Sequence, residues 1–412
     1  MAQAFYLSER FRLPVAVRIT RAQALDRAEM VQPQAEVRTG RPARFERQGD
    51  RFNVLPVHVV SFHRGLQTKI AHVQEAFEDP WEKTQPGLAL NRAEGHGQKG
   101  IIAAGHVYQK LAPVLAGSNP PPLRILRLNT IYPLPTGPIA AFLREVEAAL
   151  VLEETAPYIE TEVQALAQRA GLALPIYGRY SGHVPGAGEL FATDLAQALT
   201  ALLPDWPWPA FEPASRSRPS RRPLCEDCPY IPTLEALLAV MERHGGRDAF
   251  VVTGETGCMV RSQLPPWEFM DVKYGMGSSI GLAAGLARTG IPQKVVALSG
   301  DSALLHSGLG ELIDAGQGGA DLLVVVLANE TTALSGGQPH PATSHDAQGV
   351  PRPPVDLVAL IQAAGADHVH VVDPEDGRST QRAFEEGLTA RGLSVVVAER
   401  ACPIWEGESA PS

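Results

Sequence analysis

The chain has no surplus of positive charge. Its 36 lysines and arginines stand against 45 aspartates and glutamates, a formal net charge of -9. With no basic block to offset that balance, a nucleic-acid partner is argued against. The single local cluster, Arg216 to Arg222 in "RSRPSRR", reads as a solvated linker. Long apolar runs are missing too: none approaches the roughly 18 residues of a membrane helix. The opening "MAQAFYLSERFRLP" places charges where a signal peptide needs an apolar core. A soluble, cytoplasmic protein is the expectation. Only four cysteines occur, one C-x2-C pair and two distant singles, which does not resemble a secreted disulfide framework. No repeat of solenoid period is found.

What is present is apolar sequence, 44% of 412 residues, enough for sizeable cores in about two or three domains. Residues 1–95 are mixed. A helix-like "AFYLSERFRLP" and a strand-like "VAVRIT" precede polar, poorly periodic sequence. Over 96–203 strand-like and helix-like stretches alternate: "GIIAAGH", "VYQKLAPVL", "LRILRLN", "AALVLEE" and "ETEVQALAQRAG". Such alternation implies a parallel α/β sheet. Residues 204–223, rich in proline and serine, read as a linker. Over 224–412 alternation resumes with "DAFVVTG", "KVVALSGD", "DLLVVVLAN", "ADHVHVVD" and "LSVVVAER". Uninterrupted Val/Leu runs fit strands buried on both faces of a parallel sheet. Helix-like "SSIGLAAGLART" and "GLGELIDAGQ" lie between them.

Asp301 and Asn329 sit just beyond two of these strand-like runs. The carboxyl ends of strands are where open α/β sheets bind ligands. An aspartate and an asparagine supply two hard oxygens, and the loop after Asn329 can add a carbonyl. That set suits magnesium, which fills its octahedron with phosphate oxygens and water. A helix starting near Ser302 would also present free amides to a phosphate. The plainer reading is that Asp301 caps its helix and Asn329 opens a turn.

Cys225 and Cys228 form a CxxC after the linker, Cys258 follows the next strand in "TGETGC", and Cys402 follows the last strand in "VAERACP". Taken alone, a CxxC serves as a redox pair, half a zinc site or buried thiols. Four thiolates gathered at one sheet edge suit a 4Fe–4S cluster or a structural zinc, and spacing does not separate the two.

The pattern Gly-Asp, one helix, one strand, then Asn resembles the signature of thiamine diphosphate enzymes. Within them, "GDSALLHSG", "NETTALSGGQPHP" and "CEDCPY" resemble the 2-oxoacid:ferredoxin oxidoreductases, most closely the large subunit of the indolepyruvate branch. "YGMGSSIGLAAGLA" resembles the helix before the magnesium strand, where Gly277 and Ser278 would let backbone approach cofactor; a Gly/Ala-rich helix is also simply close-packed. "GHVYQKLAP", "YPLP" and "VLEETAPYIE" fit the family over the middle region, while residues 1–95 carry little of it.

The resemblance implies an α/β fold throughout: a thiamine-diphosphate-binding domain at 224–412, preceded by a transketolase C-terminal-like domain at 96–203. It implies magnesium on Asp301, Asn329 and the Thr331 carbonyl, with Gly300, Ser302, Gly336, Gly337 and Gln338 beside the cofactor. Ser302 departs from the general pattern, which has glycine there. It implies a 4Fe–4S cluster on Cys225, Cys228, Cys258 and Cys402. The reaction implied is oxidative decarboxylation of a 2-oxoacid, such as indolepyruvate or another aryl pyruvate, with coenzyme A, giving acyl-CoA, carbon dioxide and reduced ferredoxin.

Residues 1–95 resemble the remnant of a pyrimidine-binding domain followed by an irregular connection. The resemblance therefore implies a partner chain supplying that domain, a small gamma-type subunit, and no turnover by this chain alone. The family's C-terminal ferredoxin-like domain is also expected to be lacking. His306 and His340, beside the cofactor loops, are candidates for proton transfer. His368 and His370 alternate along a strand. Two other functions stay open: a non-oxidative thiamine-dependent decarboxylase or lyase, and a non-catalytic subunit with structural zinc.

Overall fold

The alternating runs form two sheets, one in each of two compact units, Met1–Arg216 and Ser217–Ser412. The computed structural model describes residues 2–20, 23–24, 47, 55–78, 90–118, 122–208 and 223–405. The arginine cluster at 216–222, most of the expected linker and much of the expected irregular connection lie outside the described residues.

The first unit holds strands β1 (Asn91–Gly95), β2 (Lys99–Ala104), β3 (Leu123–Leu128), β4 (Ala148–Leu152) and β5 (Ile176–Tyr177) in the order β1-β3-β2-β4-β5. All neighbours are parallel except β1, which runs against β3. Its helices are α1 (Ala2–Phe11), α2 (Val59–Glu78), α3 (His106–Ser118), α4 (Thr136–Arg144), α5 (Tyr158–Arg169) and α6 (Ala192–Leu202). Successive strand residues face opposite sides. Ile101, Leu150 and Leu152 therefore pack with Leu111 of α3 and Leu199 of α6, while Ile102 and Val151 pack with Phe142 of α4 and Val163 of α5.

Two expectations at the start of the chain are corrected. "VAVRIT" forms no strand: residues 15–20 pair with nothing in a sheet, and Val15, Val17 and Ile19 are exposed. A strand exists only through its ladder partner, and none faces this run among the described residues. The poorly periodic sequence after it contains the 20-residue helix α2, which buries none of its residues. It docks through polar contacts, Gln74 to Thr136 and Glu78 to the Gly137 amide, at the start of α4.

"VLEETAPYIE" has a structural role. Glu153, just past β4, accepts the amides of Ile159 and Glu160 at 2.8 Å each, which caps α5. Buried Glu160 in turn accepts the amide of Arg179 at 2.7 Å, and the Arg179 guanidinium donates to the Glu153 carbonyl.

The second unit is an all-parallel six-stranded sheet of β6 (Phe250–Gly254), β7 (Val272–Lys273), β8 (Lys294–Gly300), β9 (Leu322–Ala328), β10 (His368–Val372) and β11 (Leu393–Glu399), in the order β10-β11-β9-β8-β6-β7. Helices α7 (Tyr230–Arg243), α8 (Ser278–Arg288), α9 (Leu309–Gln317), α10 (Leu357–Ala363) and α11 (Gly377–Thr389) cover it. Every residue of β9 is buried. Leu323, Val325 and Leu327 meet α7 and α11, with Phe384 at the centre; Leu322, Val324 and Val326 meet α8, α9 and α10. Each such side chain contributes roughly 1.5–3 kcal/mol when fully buried, which is why this strand reads as one apolar run. His368 and His370 lie on edge strand β10, His370 within 3.5 Å of Glu386. Among the described residues no helix is long and apolar enough to cross a membrane.

Candidate functional site

Strands β8 and β9 are neighbours in register, Gly300 opposite Leu327. Asp301 and Asn329 therefore emerge side by side at the carboxyl edge of the sheet, and both are buried. Asp301 Oδ1 accepts the Ser302 amide at 2.7 Å. Its Oδ2 accepts the amides of Asn329 and Glu330 at 3.0 and 2.9 Å. Asn329 Oδ1 accepts the Thr331 amide at 3.4 Å. The structure thus brings Asp301, Asn329 and Thr331 together, with Glu330 held at φ 60°. The helix expected near Ser302 begins at Asp301 (Asp301–Ala303), widens to a π-type turn over Leu304–Gly308, and continues as α9.

His340 closes this corner from below. Its Nδ1 accepts the Ala342 amide at 3.3 Å, which places the ring hydrogen on Nε2. That Nε2 lies 3.3 Å from Asp301 Oδ2 but makes no hydrogen bond of acceptable geometry. A buried donor without a partner is costly, about 1–3 kcal/mol. The His340 carbonyl is held by Thr343 and by Arg352 Nη2.

Glu255, which the sequence reading missed, is fully buried just past β6. Its Oε2 accepts the Gly277 amide at 2.5 Å; its Oε1 accepts Ser299 Oγ at 2.7 Å and the Gly300 amide at 3.1 Å. One carboxylate thus joins the start of α8 to the end of β8. Burial raises its pKa above the ordinary value, and the hydrogen bonds from Ser299, Gly300, Gly277 and Ser279 oppose that. A carboxylate just beyond a strand is the pattern that singled out Asp301, so "TGETGC" carried the signal.

Gly277 has φ 81°, and a Cβ there would meet the backbone of Ser307 and Gly308. Glycine is required for that approach. Ser278 caps its turn by donating to the Gly275 carbonyl at 2.7 Å. Ser302 Oγ lies 2.9 Å from Thr332 Oγ1. Gly336 and Gly337, at φ 124° and 74°, form the tip of a loop closed by the Thr332 amide donating to the Gln338 carbonyl at 2.9 Å. The exposed Gln338 side chain folds back on Ser335. His306 lies in the π-type turn and is exposed.

All four cysteines are unpaired and partly buried. Cys225 and Cys228 open the turn before α7, the Cys228 amide donating to the Cys225 carbonyl at 3.2 Å. Arg261 Nη1 lies 3.5 Å from Cys225 Sγ. Burial pushes the Cys228 thiol up to about 11, reinforced by Cys258, Cys225 and Cys402. The Cys258 thiol is raised by burial, with Arg261 opposing and Cys402 and Cys225 adding to it. The four thiols are thus close enough to feel one another. Among the described residues no three His, Cys, Asp or Glu side chains are placed to hold one metal ion. The buried Tyr230 belongs to the apolar cluster against which Cys228 and Cys258 pack, its hydroxyl 3.4 Å from the Leu327 carbonyl. The Cys402 amide donates to the Asn329 carbonyl at 3.1 Å, so the last thiol is tied to the Asp301 corner.

This arrangement of paired strand ends belongs to a known class. Residues 255–398 match the thiamine pyrophosphate enzyme C-terminal TPP binding domain, and the second unit carries that domain. The chain is 31% identical, over 98% of its length, to the indolepyruvate oxidoreductase subunit IorA of Thermococcus kodakarensis, of which it covers 64%. It is 30% identical over 99% of its length to the same-named subunit of Methanothermobacter thermautotrophicus, covering 65%. The 2-oxoglutarate synthase subunit KorB of Archaeoglobus fulgidus is 28% identical over 43% of this chain and 69% of its own. The chain is similar to these oxidoreductase subunits and spans slightly less than two thirds of the IorA proteins it matches.

Proposed function

We propose that the chain is a subunit of a 2-oxoacid:ferredoxin oxidoreductase. The reaction is the thiamine-diphosphate-dependent decarboxylation of an aryl pyruvate such as indolepyruvate, with transfer of the acyl group to coenzyme A. Two electrons then leave, one at a time, to ferredoxin. The observation that carries this reading is the corner of Asp301, Asn329 and His340. It buries hard oxygen donors at adjacent strand ends and leaves one ring N–H without a partner.

The residues fit a magnesium-bound diphosphate. Asp301, Asn329 and the Thr331 carbonyl would hold the magnesium, with waters and phosphate completing its shell. Gly277, Ser278, Gly300, Ser302 and the Gly336–Gly337–Gln338 turn would border the diphosphate. When bound, the cofactor supplies the carbanion that attacks the 2-oxo group. His340 orients Asp301, and the exposed His306 can exchange protons with solvent. Free, half-buried thiols suit a 4Fe–4S cluster as a donor set, held by Cys225, Cys228, Cys258 and Cys402 once they draw in.

The reading adds a partner chain carrying the pyrimidine-binding domain. A small gamma-type subunit and a cytoplasmic location complete the reading. A non-oxidative thiamine-dependent decarboxylase would use the same corner without the thiols.

The test is iron and acid-labile sulfide, with zinc alongside, on anaerobically purified protein, together with magnesium-dependent binding of thiamine diphosphate. About four irons and four sulfides per chain support the redox subunit, and cofactor binding without iron supports the decarboxylase. Unchanged cofactor affinity in Asp301→Ala would overturn both.

A further inference from the structure

Beyond Glu399 the chain continues the ladder of β11 into the Asp301 corner. Strand β11 pairs with β9 as far as Glu399 opposite Ala328. The Arg400 amide then donates to the Ala328 carbonyl at 3.0 Å, and the Cys402 amide to the Asn329 carbonyl at 3.1 Å. The Trp405 amide turns back to the Cys402 carbonyl at 3.1 Å. That turn lays the Trp405 ring against the backbone of Gly337, where a Cβ would overlap the fused edge of the indole.

Six consecutive residues therefore touch three parts of the site: the thiol group through Cys402, the Asn329 carbonyl, and the turn at Gly336–Gly337. The turn needs such support. Its tip is exposed, both glycines have positive φ, and backbone of that kind is the freest of all. The loop's own restraints are the Thr332–Gln338 pairing, the Gly336 and Gly337 amides donating to the Ala333 and Thr332 carbonyls at 3.4 and 3.2 Å, and the bonds between Ser335 and Gln338. A rigid aromatic ring on a glycine backbone supplies contact area at little entropic cost.

We infer that Trp405 is a positioning residue: segment 400–405 is a strap whose indole fixes the Gly336–Gly337 turn in register with Asn329. The indole acts through the turn, and the strap reaches Asn329 through the Cys402 amide. The value of the strap to cofactor binding rests on the function proposed above. Its mechanical role does not.

The test compares wild type with Trp405→Ala and Trp405→Phe on the whole chain by two measurements. In ligand-free protein, hydrogen exchange at amides 333–338 accelerates in Trp405→Ala and returns to the wild-type rate in Trp405→Phe. Titration with thiamine diphosphate and magnesium then shows about ten-fold weaker binding for Trp405→Ala, the scale of losing an outer support of a ligand site. The phenylalanine variant recovers most of it, and iron content does not change. Exchange at 333–338 that is the same in Trp405→Ala and wild type overturns the strap. If wild type binds no cofactor, the proposed function falls, and the exchange measurement still decides the strap.

Discussion

His340 Nε2 lies 3.3 Å from Asp301 Oδ2, with both side chains buried and the ring N–H without a hydrogen-bond partner. With Asp301 as the proposed magnesium ligand, the buried ring packed against it limits where the carboxylate can point. His340→Ala is expected to weaken magnesium-dependent binding of thiamine diphosphate about 10–100-fold, measured by titration calorimetry. Binding within two-fold of wild type would remove His340 from the site.

Glu255 joins Gly277 to Ser299 and Gly300. Glu255→Ala strands those buried donors and is expected to cost about 2–4 kcal/mol, seen as a lowered Tm. The pH dependence has a definite sign. Burial raises the folded pKa above 4.5, so the stability this group contributes is complete below 4.5 and is lost as pH rises through the raised value. The advantage of wild type over the non-titrating Glu255→Gln should therefore shrink from pH 4.5 towards neutrality. Calorimetric scans along that range that show a growing gap would contradict the assignment.

Gly277 is the one residue at which α8 can start where it does. Gly277→Ala must hold an alanine at φ 81° against Ser307 and Gly308, which costs about 1–2 kcal/mol for the backbone alone. A lower Tm together with weaker cofactor binding is the expected result. An unchanged Tm would mean the close approach is relaxed in solution.

The thiols give a compositional prediction. If Cys225, Cys228, Cys258 and Cys402 act as one ligand set, Cys258→Ser should lose most of the iron while the sheet stays folded, because Cys258 lies beyond the end of β6 in the segment Cys258–Gln263. Metal analysis with circular dichroism reads both quantities. Iron retained at the wild-type level would exclude Cys258 as a ligand.

The architecture was legible because burial on both faces leaves no choice of residue. "DLLVVVLA" and "LSVVVAE" coincide with β9 and β11, and "GIIAA" with most of β2. The run "VAVRIT" is also rich in β-branched residues, yet among the described residues it has no strand partner. Helix α2 escaped notice although Phe62, Leu66, Ile70, Val73 and Phe77 recur at helical spacing; none of them is buried.

At the candidate site, Asp301 and Asn329 were visible as oxygen donors beyond apolar runs, Thr331 through the family resemblance, and the cysteines by their residue type. Their neighbours were not. Glu255 reaches Gly300 because β6 lies next to β8, and Cys402 reaches Asn329 because β11 lies next to β9. Trp405 arrives by a loop whose course no periodicity describes, and His340, a candidate by residue type, could not be placed against Asp301 for the same reason. The sequence by itself determined the class of fold and the chemistry available at the strand ends, since burial and residue type are local properties. Strand order decided which of those groups meet, and it is set by the packing of helices across the whole sheet.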